Sequence, residues 1–246
     1  MSQKANILNC HVDKLTMDET IKLIDKSIQN KSKLQHVVVN AAKLVNMQSD
    51  IELHNSVVSC DIINADGQAV VWASKILGDP LPERVAGIDI MENLVVLAYQ
   101  KNYKIFFLGA KEKIVKAVVD KYSRIYSSDI IAGYRNGYFK KTEERDVAKH
   151  IASSGADILF VAITSPKKEN FLSQNSDLLA RVSFTMGVGG SFDVVSGFTK
   201  RAPVWMQKVG LEWFYRFAQE PKRMWKRYLR TNTLFIWYVL KAKFGS

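Results

Sequence analysis

Asp66 and Arg84 are the residues whose types and setting come nearest to chemistry. Asp66 follows an apolar run, Asp61-Ile62-Ile63, where Asn64-Ala65-Asp66-Gly67 turns the chain into a helix predicted over 68–77. A carboxylate at the carboxyl end of a strand, next to a glycine and a helix start, stands at the rim where open α/β sheets bind ligands. Asp is also a favoured N-cap residue, so the same position reads as a helix cap. Arg84-Val85-Ala86-Gly87 lies in a loop opened by Pro80 and Pro82, which brings a guanidinium back towards that rim. A rim carboxylate beside an arginine suits a general base working next to a phosphorylated substrate.

Other strand ends carry further candidates. Asn40 stands between the β-branched run 35–39 and a helix start at Ala41-Ala42-Lys43, as a cap or as a ligand contact. Gly109 closes the strand 104–108, and Gly187, Gly189, Gly190 and Asp193 fall in the GVGGSFD block after the strand 182–186. Such turns present backbone N–H groups and a helix start to phosphate, and together they suit a nucleotide with its diphosphate. Tight turns with close packing account for the same glycines. Neither block completes G-x-G-x-x-G, so a nicotinamide cofactor has little support. Lys168 lies at another strand end, in Thr164-Ser165-Pro166-Lys167-Lys168-Glu169. It could face a diphosphate, a sugar carboxylate or solvent, and lone lysines are mostly solvated. No D-x-D triplet occurs and His11, His36, His54 and His150 are scattered, so neither a metal nor another cofactor is expected. Leaving-group charge then falls to arginines and backbone N–H groups.

The hydropathy pattern supplies a scaffold for these positions. Residues 5–12 read as a first strand, and Thr16-Met17-Asp18-Glu19 is a capping box that opens a helix with Ile21, Leu23, Ile24 and Ile28 apolar. Strands at 35–39, 61–63, 104–108, 129–131, 157–163 and 182–186 alternate with helices such as 111–124 and 142–153. That alternation predicts an α/β fold with a Rossmann-like, largely parallel sheet flanked by helices. The 246 residues fit one such domain with an appendage, and 47% hydrophobic residues exclude general disorder. Cys10 and Cys60 form no C-x-x-C pattern, which points to a reducing compartment without disulfides or a zinc site. The segment MSQKANILNC has no apolar signal core, and no window reaches the roughly 18 apolar residues of a spanning helix, so a cytoplasmic location is expected.

The charge divides the chain into a core, 1–196, and a basic helical appendage, 197–246. The appendage has eleven Lys/Arg against Glu212 and Glu220, so it holds nine of the eleven net positive charges, with four of the five tryptophans. Pro203 and Pro221 punctuate helices predicted at 203–209, 211–219 and 222–240. On the last, Arg223, Arg227 and Arg230 share a face at i, i+4 and i+7, and 234–240 is an apolar run. Such a helix can lie in an anionic membrane interface with its arginines towards phosphates. Docking on the core with solvated charges is the plainer alternative. Nucleic acid fits the charge and leaves the apolar run unexplained.

The blocks ADGQAVVWASKILGDPLPERVAGID, IFFLGA, GYRNGYF, GVGGSFDVVSGFTKRAP and LEWFYRFAQEPKRMWKRY resemble, in order, the WecG/TagA/CpsF family of bacterial glycosyltransferases. The resemblance runs from about Asn6 to about Tyr228. It implies an inverting enzyme on the cytoplasmic face of the membrane, peripherally attached. The sugar, N-acetylmannosamine, its uronic acid or another hexose, would pass from a UDP-sugar donor to an undecaprenyl-diphosphate-linked N-acetylglucosamine. Cell-surface polysaccharide or teichoic acid synthesis is the implied setting, and the N-acetylmannosaminyltransferases of the family are the model. Asp66 matches the family's base, and Arg84, Arg216, Arg223 and Arg227 would hold diphosphates. The chain departs from the family at Val38 for Thr, Thr164 for Gly and Lys168 for Gln. A homo-oligomer is left open. The rival class is a Rossmann-like nucleic-acid-binding protein or methyltransferase whose basic tail grips phosphates.

Overall fold

The β-branched and aromatic runs assemble into one parallel sheet. The computed structural model describes residues 2–245, apart from the side chains of Lys208, Arg216, Arg223, Met224, Lys226 and Arg227. Strands β1 (Lys4–Ile7) and β2 (Cys10–Asp13) precede helix α1 (Met17–Gln29). Strand β3 (Leu34–Val39) leads to α2 (Ala41–Met47) and α3 (Ile51–Val58), and β4 (Ile62–Ala65) to α4 (Gln68–Leu77) and α5 (Gly87–Lys101). Strands β5 (Ile105–Gly109), β6 (Ile131–Arg135), β7 (Ile158–Ala162) and β8 (Phe184–Gly187) follow. They are joined in turn by α6 (Glu112–Ile125), α7 (Glu144–Ser153) and α8 (Lys167–Gln174). The chain is then helical, with α9 (Ser191–Val195), α10 (Val204–Lys208), α11 (Glu212–Gln219) and α12 (Pro221–Phe244).

The sheet order is β4-β3-β8-β7-β5-β6 with every pairing parallel, so all six carboxyl ends share one rim. Alternate residues feed opposite layers. Phe107 and Phe160 join a core with α1, α5 and α6, whereas Phe106, Leu108, Leu159 and Val161 pack with α7 and α8. All six are fully buried, as expected where helices cover both faces. Burying each contributes roughly 2 kcal/mol.

The capping box of α1 forms as read, with Thr16 accepting from the Glu19 N–H and Glu19 accepting from the Thr16 N–H. Two strand expectations need correction. The stretch 5–12 is a hairpin, because Leu8 and Asn9 take φ of 52° and 64° and reverse the chain. Two such residues make the tight turn that matches strand twist. The Asp13 carboxylate then accepts the Ile63 N–H at 2.8 Å and docks β2 on β4. The strand expected at 129–131 lies later, at Ile131–Arg135, and takes in the first residues of GYRNGYF. Gly133 is needed there, since a Cβ would come 2.8 Å from Phe106 Cε2.

The appendage docks along one edge of the molecule. Phe235 and Val239, one helical turn apart, are buried in a core cluster with the β1–β2 hairpin, α2, α3 and α4. The apolar run is therefore divided, because Ile236, Trp237 and Leu240 stay exposed.

Candidate active site

Asp66 follows β4, and its N–H donates to Val39 O at 2.8 Å, which fixes it beside the end of β3. The N-cap of α4 is Gly67, with no side-chain cap, so Asp66 does not cap that helix. Its carboxyl accepts the Gly87 N–H at the start of α5. The approach is close: a Cβ on Gly87 would lie 3.2 Å from Met186 Cε, 3.4 Å from Val38 Cγ2 and 3.7 Å from Asp66 Oδ2. Burial pushes the Asp66 carboxyl up to about 6, against the Arg84 guanidinium and with the help of the Glu212 carboxylate. The Gly87 N–H and Lys43 also favour its ionised form. A carboxylate tuned in this way is a stronger base than a free Asp and remains ionised near neutrality, which is what general-base work needs.

Arg84 returns to this corner as its loop suggested, and it meets the appendage there. Its Nη1 donates to Glu212 Oε2, the first residue of α11, at 2.8 Å. Arg201 reaches the same place, with Nη2 2.6 Å from Asp89 Oδ1, Nη1 3.7 Å from Glu92 Oε2 and Nε 4.0 Å from Glu212 Oε1. Sequence reasoning singled out neither Glu212 nor Arg201. The available signal was Glu212 as one of two acids in a basic segment, with Arg201 in the block FTKRAP.

Asn40 caps α2, its Oδ1 accepting the Lys43 N–H at 3.0 Å. It also lies against Gly67, the residue after Asp66, since a Cβ on Gly67 would sit 3.5 Å from Asn40 Cβ. Lys168 departs from the solvated alternative: its side chain is 8% exposed, and Nζ lies 2.6 Å from Glu169 Oε1. The same oxygen is 2.7 Å from Lys43 Nζ, which also donates to Val38 O. Burial, with Lys43 alongside, pushes the Lys168 ammonium down to about 8. Burial would raise Glu169, yet Lys43 and Lys168 hold it down to about 2. Gly187 makes room for this group, because a Cβ there would come 2.9 Å from Lys168 Cδ and Cε.

Asn40, Asp66 and Arg84 thus meet at the β3–β4 corner, and Lys168 with Gly187 sits at the ends of β7 and β8. Gly109 ends β5, pressed against Ala162 of β7, with Gly137 of the GYRNGYF turn close above it. Gly189 takes φ +55°, Gly190 precedes α9, and Asp193 lies in the first turn of that helix. The side chains of Arg216, Arg223 and Arg227 lie outside the described residues; their backbones belong to α11 and α12. Among the described residues no three His, Cys, Asp or Glu side chains gather as a metal ion requires.

A family model described as "Glycosyl transferase WecG/TagA/CpsF family" matches residues 5–246. An N-acetylglucosaminyldiphosphoundecaprenol N-acetyl-beta-D-mannosaminyltransferase of Bacillus subtilis (strain 168) is 42% identical over 171 residues, covering 70% of this chain and 65% of that protein. A protein of the same name from Bacillus spizizenii is 40% identical over 171 residues with the same coverage. The match spans just under two thirds of the length of these relatives.

Proposed function

The chain belongs to the WecG/TagA/CpsF family of glycosyl transferases, and on that premise we propose that it transfers a sugar, with inversion, from a UDP-sugar to undecaprenyl-diphosphate-linked N-acetylglucosamine. The observation that carries this reading is Asp66, raised to about 6 at the sheet rim with Arg84 nearby. Asp66 takes the proton from the acceptor hydroxyl as its oxygen bonds to the anomeric carbon. The bond from that carbon to UDP breaks on the opposite face, and the electron pair leaves with the diphosphate. Arg84, Arg216, Arg223 and Arg227 meet diphosphate charge, for which arginine forks are suited. Asn40, Gly109, Gly187, Gly189, Gly190 and Asp193 line the remaining rim towards the nucleotide. The names of the two relatives favour N-acetylmannosamine as the sugar. The buried Lys168 ammonium supports an anionic donor group, either a diphosphate or a uronic carboxylate.

In this reading residues 1–196 carry the base, and 197–246 carry the arginines and the membrane contact. Trp205, Trp213 and Trp237 are exposed on that basic segment, which supports peripheral docking on an anionic cytoplasmic leaflet. Among the described residues no helix is long and apolar enough to cross a membrane. Family membership tells against the nucleic-acid and methyltransferase alternatives.

The test is a panel of UDP-sugars with a lipid-diphosphate-linked N-acetylglucosamine, read by product mass. Transfer from one donor supports the reading, and no transfer from any donor sinks it. We also expect transfer to persist in excess chelator, since the sequence has no D-x-D triplet and the corner offers guanidinium groups for the leaving charge. Complete loss that magnesium or manganese restores would overturn that expectation.

A further inference from the structure

We propose that Arg84 and Arg201 form a two-guanidinium site for a diphosphate group, which the Glu212 carboxylate occupies until that ligand displaces it. The inference rests on the reading above, in which a diphosphate-bearing substrate enters beside Asp66.

The geometry of Glu212 is that of a stand-in that serves one arginine and falls short of the other. Its Oε2 takes Arg84 Nη1 at 2.8 Å, while Oε1 stays 4.0 Å from Arg201 Nε. That Nε is buried and has no hydrogen-bond partner. A planar carboxylate has two oxygens and cannot close both contacts from this position. A diphosphate has more oxygens on tetrahedral centres and can engage both forks.

The charge of the described residues favours exchange over simple addition. Among the described residues the corner holds Arg84, Arg201 and, acting on Asp66, Lys43 against Asp66, Asp89, Glu92 and Glu212. A further anion meets a surplus of carboxylates unless one of them leaves. Asp66 is fixed between the end of β3 and the start of α5. Asp89 and Glu92 lie on α5, whose Ile90, Met91, Leu94 and Val95 are locked into the core. Glu212 lies on α11 of the appendage, which among the described residues contributes none to the core clusters. It is the carboxylate free to withdraw. Its departure would also remove a charge that makes Asp66 hold its proton more tightly.

The test is calorimetric titration of inorganic pyrophosphate into the full chain at low salt, with the parent, Glu212→Gln and Arg201→Gln compared. Removing the competing charge should tighten binding about tenfold, and removing one fork should weaken it about tenfold, the scale of one charge-assisted contact. Equal or weaker binding by E212Q would mean that Glu212 orients Arg84, and the exchange fails. Parent-like binding by R201Q removes Arg201 from the site, and no binding by any of the proteins removes the site altogether. If E212Q does not fold by circular dichroism, Glu212→Asp draws the carboxylate back by one methylene and carries the same expectation. Pyrophosphate binding needs no turnover, so the two readings fail separately. A protein that shows these affinities and transfers no sugar defeats the proposed function alone. One that transfers sugar with E212Q binding unchanged defeats the exchange alone.

Discussion

Asp66→Asn should lower turnover by ~10²–10⁴-fold while donor binding stays near that of the parent, the usual range for losing a general base. The amide can still accept the Gly87 N–H, so the corner keeps its shape and loses its basicity. The parent's rate should rise with pH and level off above about 6, where Asp66 ionises, and the variant should lack that limb. Stability should move the other way. The folded-state pKa lies above the ordinary 3.8, so the stabilisation tied to Asp66 is full below 3.8 and fades as pH rises through about 6. At pH 7 the ionised group is a burden, and the amide should raise stability by about 1–3 kcal/mol. Urea unfolding at pH 7 and at pH 4 measures this, with the gain confined to the higher pH. Near-parental turnover in the variant would leave Asp66 without the role given it.

Gly109→Ala should all but abolish folding. Gly109 takes φ +128°, which L side chains rarely adopt, and a Cβ would lie 2.4 Å from Ala162 O and 2.5 Å from Ala162 C. Those atoms belong to β7, the central strand hydrogen-bonded to β5, so no side chain can rotate away to relieve the contact. Strain and overpacking against backbone together should cost more than about 4 kcal/mol. Gly189→Ala is the control. Its φ is +55° with open space around it, so the cost should be about 1–2 kcal/mol. Soluble yield and thermal melts of the two variants decide the matter. If Gly109→Ala melts within a few degrees of the parent, close strand packing is not what this glycine provides.

Much of the fold could be read from local signals. The helix at 68–77 has the bounds expected, because a glycine precedes it and Gly78 ends it with φ +88°. The parallel sheet follows from apolar runs such as Ile105-Phe106-Phe107-Leu108, which are buried on both faces. What escaped depends on partners distant in sequence. The solvated alternative for Lys168 failed because Glu169 and Lys43 meet it inside the protein, and Lys43 belongs to a helix more than a hundred residues away. The Arg84–Glu212 pair likewise joins a loop of the core to the appendage. The hairpin at Leu8-Asn9 was missed for a different reason. Leu is a poor signal for positive φ, and the apolar pattern runs on through the turn.

The docking of α12 bears on how the protein is made. Phe235 and Val239 complete the same cluster as Ala5, Ile7, Cys10 and Val12, so the hairpin emerges from the ribosome long before its partner. Through most of translation the nascent chain carries α2 and α4 with part of their apolar cover missing, the kind of surface that chaperones hold. Such contacts between distant stretches of sequence also slow refolding from denaturant. Since α4 begins directly after Asp66 and Gly67, the corner around Asp66 gains its full apolar support only when α12 has been synthesised and has docked.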